Sequence, residues 1–290
     1  MLQQTTQENL ETNTIMNTYV IANFSELKRS LFFLPLFLVL AIVVFLYSQN
    51  ALNVGSYSQI QKPWFYGINS KLSQFPEVIY NLTQFGDALI FLSLLTLLIV
   101  YTPKVWEALL SASIVSAILS AILKKIFAVP RPAAVFDNDT FVIIGKTLTG
   151  GNSLPSGHSI TVFTTLTVLL FAFMPKKATN KVLWSLLILI TGILLVLTRV
   201  GVGAHYPLDV TVGSIVGYCC GLLGIFISQK YKIWNWVNHK KCYPIFIVLF
   251  LVCGAVVIDK ISKENLIIFY VTLISLVVSL YKITTVYVKK

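Results

Sequence analysis

Charged residues are scarce in this chain. Asp, Glu, Lys and Arg make up 11% of its 290 residues and hydrophobic residues 56%, whereas a soluble domain has about a quarter of its residues charged. An ordinary soluble protein is excluded. Acidic residues are scarcest, 11 against 22 basic ones, and no carboxylate cluster offers a metal site. The four cysteines, Cys219, Cys220, Cys242 and Cys253, lie in or beside apolar runs and lack metal-ligand spacing. They read as small packing residues. There is no internal repeat, low-complexity tract or second soluble domain. Residues 1–27 are polar and lack the apolar h-region of a cleavable signal peptide, so the first apolar run is expected to act as an uncleaved anchor. The net charge of +11 does not require nucleic acid, because Lys and Arg in short loops beside membrane spans set membrane orientation.

What the chain has in abundance is apolar runs. A spanning helix needs about 20 mostly apolar residues, which predicts spans near 31–48, 86–102, 105–123, 159–175, 182–199, 208–228, 243–258 and 266–285. The fold class is therefore all-α, a polytopic transmembrane helical bundle. Residues 49–85 are too polar to span but carry Trp64, Phe65, Tyr66, Phe75, Tyr80 and Phe85, which suits an arm lying in the headgroup region. Walking through eight spans puts Lys28, Arg29, Lys104, Lys176, Lys177, Lys181, Lys230 and Lys232 on one side. By the positive-inside rule that side is the cytoplasm, and both termini lie there. The same walk puts Lys124, His158, Arg199 and His205 together on the opposite face.

Those four residues belong to three polar clusters at the ends of apolar runs. In Lys124 to Pro132, Pro130 and Pro132 disfavour continuation of the helix, so Arg131 sits on a bend that can fold back toward Lys124. Two cations then face one point, although Lys124 and Lys125 could also simply snorkel to the interface. Asn152 to Ser159 reads as a helix N-terminus, whose free N–H groups suit an anion such as phosphate. Within it, Gly157 allows close backbone approach, Ser156 can donate a hydroxyl, and His158 can protonate a leaving oxygen. In Thr198 to Asp209, His205 and Asp209 are four apart on one helix face, so the carboxylate can orient the imidazole as a nucleophile. Arg199 adds a planar fork for phosphate oxygens. A competing reading has Asp209 only capping the sixth span.

The three segments, K-x6-R-P (Lys124 to Pro132), P-S-G-H (Pro155 to His158) and S/T-R-x5-H-x3-D (Thr198 to Asp209), together resemble the signature of the type 2 phosphatidic acid phosphatase (PAP2) family. The resemblance covers roughly residues 86–228. It implies a six-helix phosphatase core with two extra C-terminal spans, related in fold to vanadium haloperoxidases. The expected organisation is a cytoplasmic N-terminal segment (1–30), a first span and periplasmic interfacial arm (31–85), the phosphatase core (86–228) and a two-span extension (229–290). By this resemblance His205 attacks phosphorus to give a phosphohistidine, Asp209 orients it, and His158 protonates the departing lipid oxygen. Lys124, Arg131, Ser156, Gly157 and Arg199 then hold the phosphoryl oxygens, without a metal or other cofactor. One departure is Thr198, where the family usually has serine.

The function expected is an integral-membrane lipid phosphatase with its site at the periplasmic face of a bacterial inner membrane. Its partners are the bilayer and a lipid phosphate, not nucleic acid. Lipid A and undecaprenyl diphosphate are equally expected as substrates. Alternatives are a lipid-to-lipid phosphotransferase using the same residues, and a non-enzymatic anionic-lipid transporter or scramblase.

Overall fold

A computed structural model describes residues 15–288. The regular structure among them is all helix, with no strand. The chain begins with α1 (15–25), α2 (Phe33–Ser48), α3 (Val54–Ile60), α4 (Lys62–Leu72) and α5 (Pro76–Thr83). It continues with α6 (Ala88–Leu94), α7 (Leu98–Tyr101), α8 (Pro103–Phe127), α9 (Pro132–Val135) and α10 (Gly157–Ala172). The remainder is α11 (Ala178–Gly201), α12 (Pro207–Lys230), α13 (Tyr243–Glu264) and α14 (Ile267–Val288).

Backbone in lipid has to satisfy its own polar groups, so apolar runs of this length become helices. Six of the helical stretches are long and apolar enough to cross a membrane, those built on α2, α8, α11, α12, α13 and α14. With α10, which is apolar but shorter, they make a multi-pass membrane bundle. The expected span at 86–102 is not one helix. It breaks at Leu95–Leu97 into α6 and α7, because side chains take over carbonyls that a continuous helix would use. Trp106 donates its indole N–H to Leu95 O (3.1 Å), Ser275 donates to Ser93 O and Leu94 O (3.2 Å each), and Thr96 donates to Ser93 O (2.8 Å). Non-helical backbone at membrane depth is tolerated only with such partners.

Ser275 lies on α14, so the last two helices support this break. α14 adds the pairing of Ser279 with Thr96 at 2.8 Å, and its first turn engages α5, where Ile268 N–H donates to Asn81 Oδ1 (3.0 Å). Lys260 on α13 pairs with Asp87 at 3.0 Å. Segment 81–87 is thereby fixed on one side by α13 and α14.

α12 is the central helix, packed chiefly against α10 and α8. Its contact face is Gly213, Gly217, Gly221 and Gly224, and small residues let backbones approach closely. A Cβ at Gly217 would lie 2.5 Å from Ile160 O, and one at Gly224 would lie 2.4 Å from Ala112 Cβ. At the end away from the polar clusters, α1 caps α10, with Asn23 donating to Ala172 O and Met174 O (3.0 Å each). Nearby, buried Glu107 pairs with Lys104 at 2.7 Å.

The close α12–α10 packing predicts that Gly217→Leu costs about 3 kcal/mol, the upper range for overpacking a core. Gly254→Leu on α13, where an added Cβ meets nothing within 4 Å, is expected to change stability by less than about 0.5 kcal/mol. Thermal unfolding of the two detergent-solubilised variants measures the difference.

Candidate active site

Four helix ends meet at one end of the bundle: the C-termini of α8 and α11 and the N-termini of α10 and α12. α8 stops at Phe127, with Ala128 in the left-handed region (φ 47°). The chain then turns back through Val129 and Pro130, and Arg131 N–H donates to Gly150 O (3.1 Å). This return brings the Arg131 side chain over the start of α12. Its Nε donates to Asn152 Oδ1 (2.8 Å), and its Nη1 lies 3.3 Å from both Ala204 O and His205 Nε2.

His205, in the turn before α12, is 1% exposed. Its Nδ1 lies 3.4 Å from Asp209 Oδ2 and 3.4 Å from Ser153 Oγ. A guanidinium can only donate, so Nε2 facing Arg131 carries the lone pair and the ring proton sits on Nδ1, toward Asp209. Burial, then the charges of Arg131, Arg199 and Lys124, hold His205 well below the ordinary imidazole range, while the Ser153 hydrogen bond acts the other way. The ring is therefore neutral, with a free lone pair on Nε2.

Asp209 has no exposed surface. Its Oδ1 accepts from Tyr57 OH (2.7 Å), and its Oδ2 accepts from Ser153 Oγ (2.5 Å) and Tyr206 N–H (3.0 Å). Its own carbonyl accepts from Ser156 N–H (3.0 Å), which ties the start of α12 to the start of α10. Burial and the Asp209 charge push the Tyr57 phenol well above its usual value, so it stays a donor.

Ser156 is the N-cap of α10, with Oγ accepting from Ser159 N–H (3.4 Å). The N–H groups of Gly157 and His158 open the helix and have no intrahelical acceptor. Lys124 Nζ stands 3.2 Å from where a Cβ on Gly157 would be, so this ammonium rests against the glycine backbone. The His158 ring lies on Gly86, where an added Cβ would come within 2.4 Å of it. Arg199 is 7% exposed; its Nη1 donates to Thr83 Oγ1 (2.8 Å), and its Nε has no partner among the described residues. Lys124, Arg131 and Arg199 are all close enough for their charges to act on both His158 and His205.

The eight residues singled out by sequence thus gather at one end of the bundle. Thr198 turns its hydroxyl into its own helix, onto Leu195 O (2.5 Å). Sequence reasoning missed Tyr57, Ser153, Thr83 and Gly86. Tyr57 lies in the arm, where nothing local marks it, and Thr83 and Gly86 support Arg199 and His158 from a segment with no motif of its own. Ser153 had one available signal, its place in the polar knot beside Pro155.

Two imidazoles, three cations and a buried carboxylate at one end of a membrane-spanning bundle define an integral-membrane protein able to hold an anion beside a histidine lone pair. Residues 105–234 match the PAP2 superfamily. An undecaprenyl-diphosphatase of Sulfolobus acidocaldarius is 28% identical over 198 residues, 68% of this chain and 89% of that protein. The bacitracin transport permease protein BcrC of Bacillus licheniformis is 31% identical over 119 residues, 41% of this chain and 53% of its own length. The crystal structure of Aquifex aeolicus LpxE overlays with a TM-score of 0.46 at 28% identity, covering 58% of this chain and 94% of that one.

Tyr57→Phe removes one donor from a buried carboxylate without opening a cavity. A hydrogen bond to a charged group contributes about 1.5–3 kcal/mol, equivalent to roughly 10- to 100-fold in rate if it falls on the transition state. The variant is expected to lose that much kcat with KM nearly unchanged, measured as phosphate release from a lipid phosphate.

Proposed function

We propose that the chain is a lipid phosphatase that removes the terminal phosphate of a polyprenyl diphosphate through a phosphohistidine, with undecaprenyl diphosphate the substrate to test first. The observation that carries the reading is the placement of the His205 ring, with Nδ1 3.4 Å from Asp209 Oδ2 and Nε2 3.3 Å from the Arg131 guanidinium. A histidine so placed is a nucleophile set next to a phosphoryl-binding group.

His205 Nε2 attacks the terminal phosphorus, and the bond from that phosphorus to the bridging oxygen breaks. His158 gives the departing lipid oxygen its proton. Positive charge forms on the His205 ring, where Asp209 stabilises it through Nδ1–H. Lys124, Arg131, Ser156, the Gly157 N–H and Arg199 hold the phosphoryl oxygens, and the unpartnered Arg199 Nε is a donor that such an oxygen would satisfy. Water, deprotonated by His158, then breaks the P–N bond, releasing inorganic phosphate and neutral His205. Fixed donors and cations aimed at the transferring group supply the main stabilisation.

An amphiphilic substrate fits because the site lies at the ends of membrane helices, at the depth of a headgroup. The likeness to the Sulfolobus undecaprenyl-diphosphatase, over most of that protein's length, favours a polyprenyl diphosphate over lipid A. The basic residues at the far end of the bundle support a cytoplasmic location for that end, and so a site at the outer face of a bacterial inner membrane with both termini cytoplasmic. Clustering of the cations at one end favours an enzyme over a scramblase, which needs them at several depths.

Purified protein is expected to release phosphate from undecaprenyl diphosphate faster than from lipid A, phosphatidylglycerol phosphate or phosphatidate, with no phosphorylated second lipid by mass spectrometry. His205→Ala is expected to abolish release while leaving thermal unfolding unchanged, and full turnover in that variant would remove His205 as nucleophile. Only the neutral ring attacks, and its pKa lies below the ordinary 6.5. The His205 limb of a kcat/KM profile is therefore expected below pH 6.5, with activity retained as pH falls through that value; a limb above 6.5 contradicts the assignment.

A further inference from the structure

At the end of the bundle away from the catalytic residues, a pocket of about 400 Å³ opens between the α1–α2 connection and the start of α11. Lys28, Lys176 and Lys181 line it against one acid, Glu26. Lys176 pairs with Glu26 at 2.9 Å, and Lys181 is close enough to act on the same carboxylate. Lys28 and Lys181 have no ion pair among the described residues, so the pocket keeps a net positive charge.

This pocket adjoins an apolar groove of about 830 Å³ between α2 and the faces of α10, α11 and α12. Ser185 lines both, Leu31 is followed by Leu34 on one wall, and Phe171 by Leu170 on the other. Along α2 the groove runs from Leu34 to Phe45, about 16 Å at 1.5 Å per residue, close to half of a ~30 Å hydrocarbon core. It is the length of a chain from one leaflet.

The far end of the groove reaches the catalytic end of the bundle, where Val196 and Leu197 of α11 and Val210 of α12 line it, whereas the lysine pocket lies at the opposite end. Asp209, Gly213 and Gly217 lie on the face of α12 turned to α10, whereas Thr211, Ser214 and Tyr218 line the groove from the opposite face, given 100° per residue.

We propose that pocket and groove form one binding site for an anionic glycerophospholipid of the leaflet opposite the catalytic end. Its phosphate rests among Lys28, Lys176 and Lys181, and an acyl chain lies along α2. α2 buries only Pro35 within the protein, so the bound chain fills the gap between this helix and the bundle. Charge selects the headgroup, since unpaired lysines at the membrane surface attract anionic lipid. Groove length selects a full chain over a short-chain or soluble phosphate.

The test is native mass spectrometry of the full-length protein in detergent, titrated with phosphatidylglycerol and phosphatidylcholine of identical chains. One phosphatidylglycerol is expected to be retained in preference to phosphatidylcholine. The pair Lys28→Ala/Lys181→Ala is expected to weaken it about 30-fold, the combined effect of two surface lysines. Ala41→Trp, which fills the groove and leaves every charge in place, is expected to weaken it as well. The pair Lys230→Ala/Lys232→Ala, basic residues at the same end outside the pocket, is expected to leave it unchanged. Equal retention of the two lipids, indifference to the Lys28/Lys181 pair or to Ala41→Trp, or an equal loss in the control pair overturns the proposal.

Discussion

The carboxylate of Asp209 has no exposed surface, and removing such a charge from water costs several kcal/mol unless its oxygens are satisfied. Tyr57, Ser153 and Tyr206 N–H provide that satisfaction, and each comes from a different part of the chain: the arm before the bundle, the polar knot before α10 and the turn before α12. His205 adds its Nδ1 at 3.4 Å. The charge therefore holds three segments in one arrangement, and the arrangement in turn fixes which nitrogen of His205 is free. A neutral residue at this position would release the arm, the knot and the imidazole together.

The support extends outward in layers. Arg199 leans on Thr83 and His158 on Gly86, both in segment 81–87, and that segment is held from its far side by Ile268 N–H and Lys260. α13 and α14 thus hold the backbone behind two site residues and supply the side chains that let α6 and α7 break within the bundle. α12 meanwhile approaches α10 closely enough, through its glycines, for Ser156 N–H to reach Asp209 O. Aromatic side chains close the site on the arm side: Tyr57, Phe65, Phe136 and Tyr206 pack edge-on or tilted with centroids 5.7–6.3 Å apart.

Much of this was legible in the sequence because membrane spans and their parity are coarse signals. Apolar runs set the helices, and counting spans was enough to bring Lys124, His158, Arg199 and His205 to one side. Spacing carried the pairing of His205 with Asp209, since four residues is one helical turn. The break in 86–102 was not legible, because the run is almost uniformly apolar and its cause lies in the side chain of Trp106 on the next helix and in Ser275 and Ser279, far along the sequence. Tyr57 escaped for the same reason: its partner is 152 residues away, and an aromatic in an interfacial arm looks like any other belt residue. Ser156 was read as a ligand donor from its neighbours, while its oxygen also caps α10.

The central claim is that Nε2 of His205 becomes covalently bonded to phosphorus during turnover. The most direct measurement is to mix the protein with a lipid diphosphate labelled in its terminal phosphate, quench in alkali within the first turnover, and map the label by peptide mass spectrometry. The account predicts an alkali-stable, acid-labile phosphoryl group on His205, absent from His205→Ala. Label on His158 instead, or rapid turnover with no labelled histidine at any quench time, would contradict it.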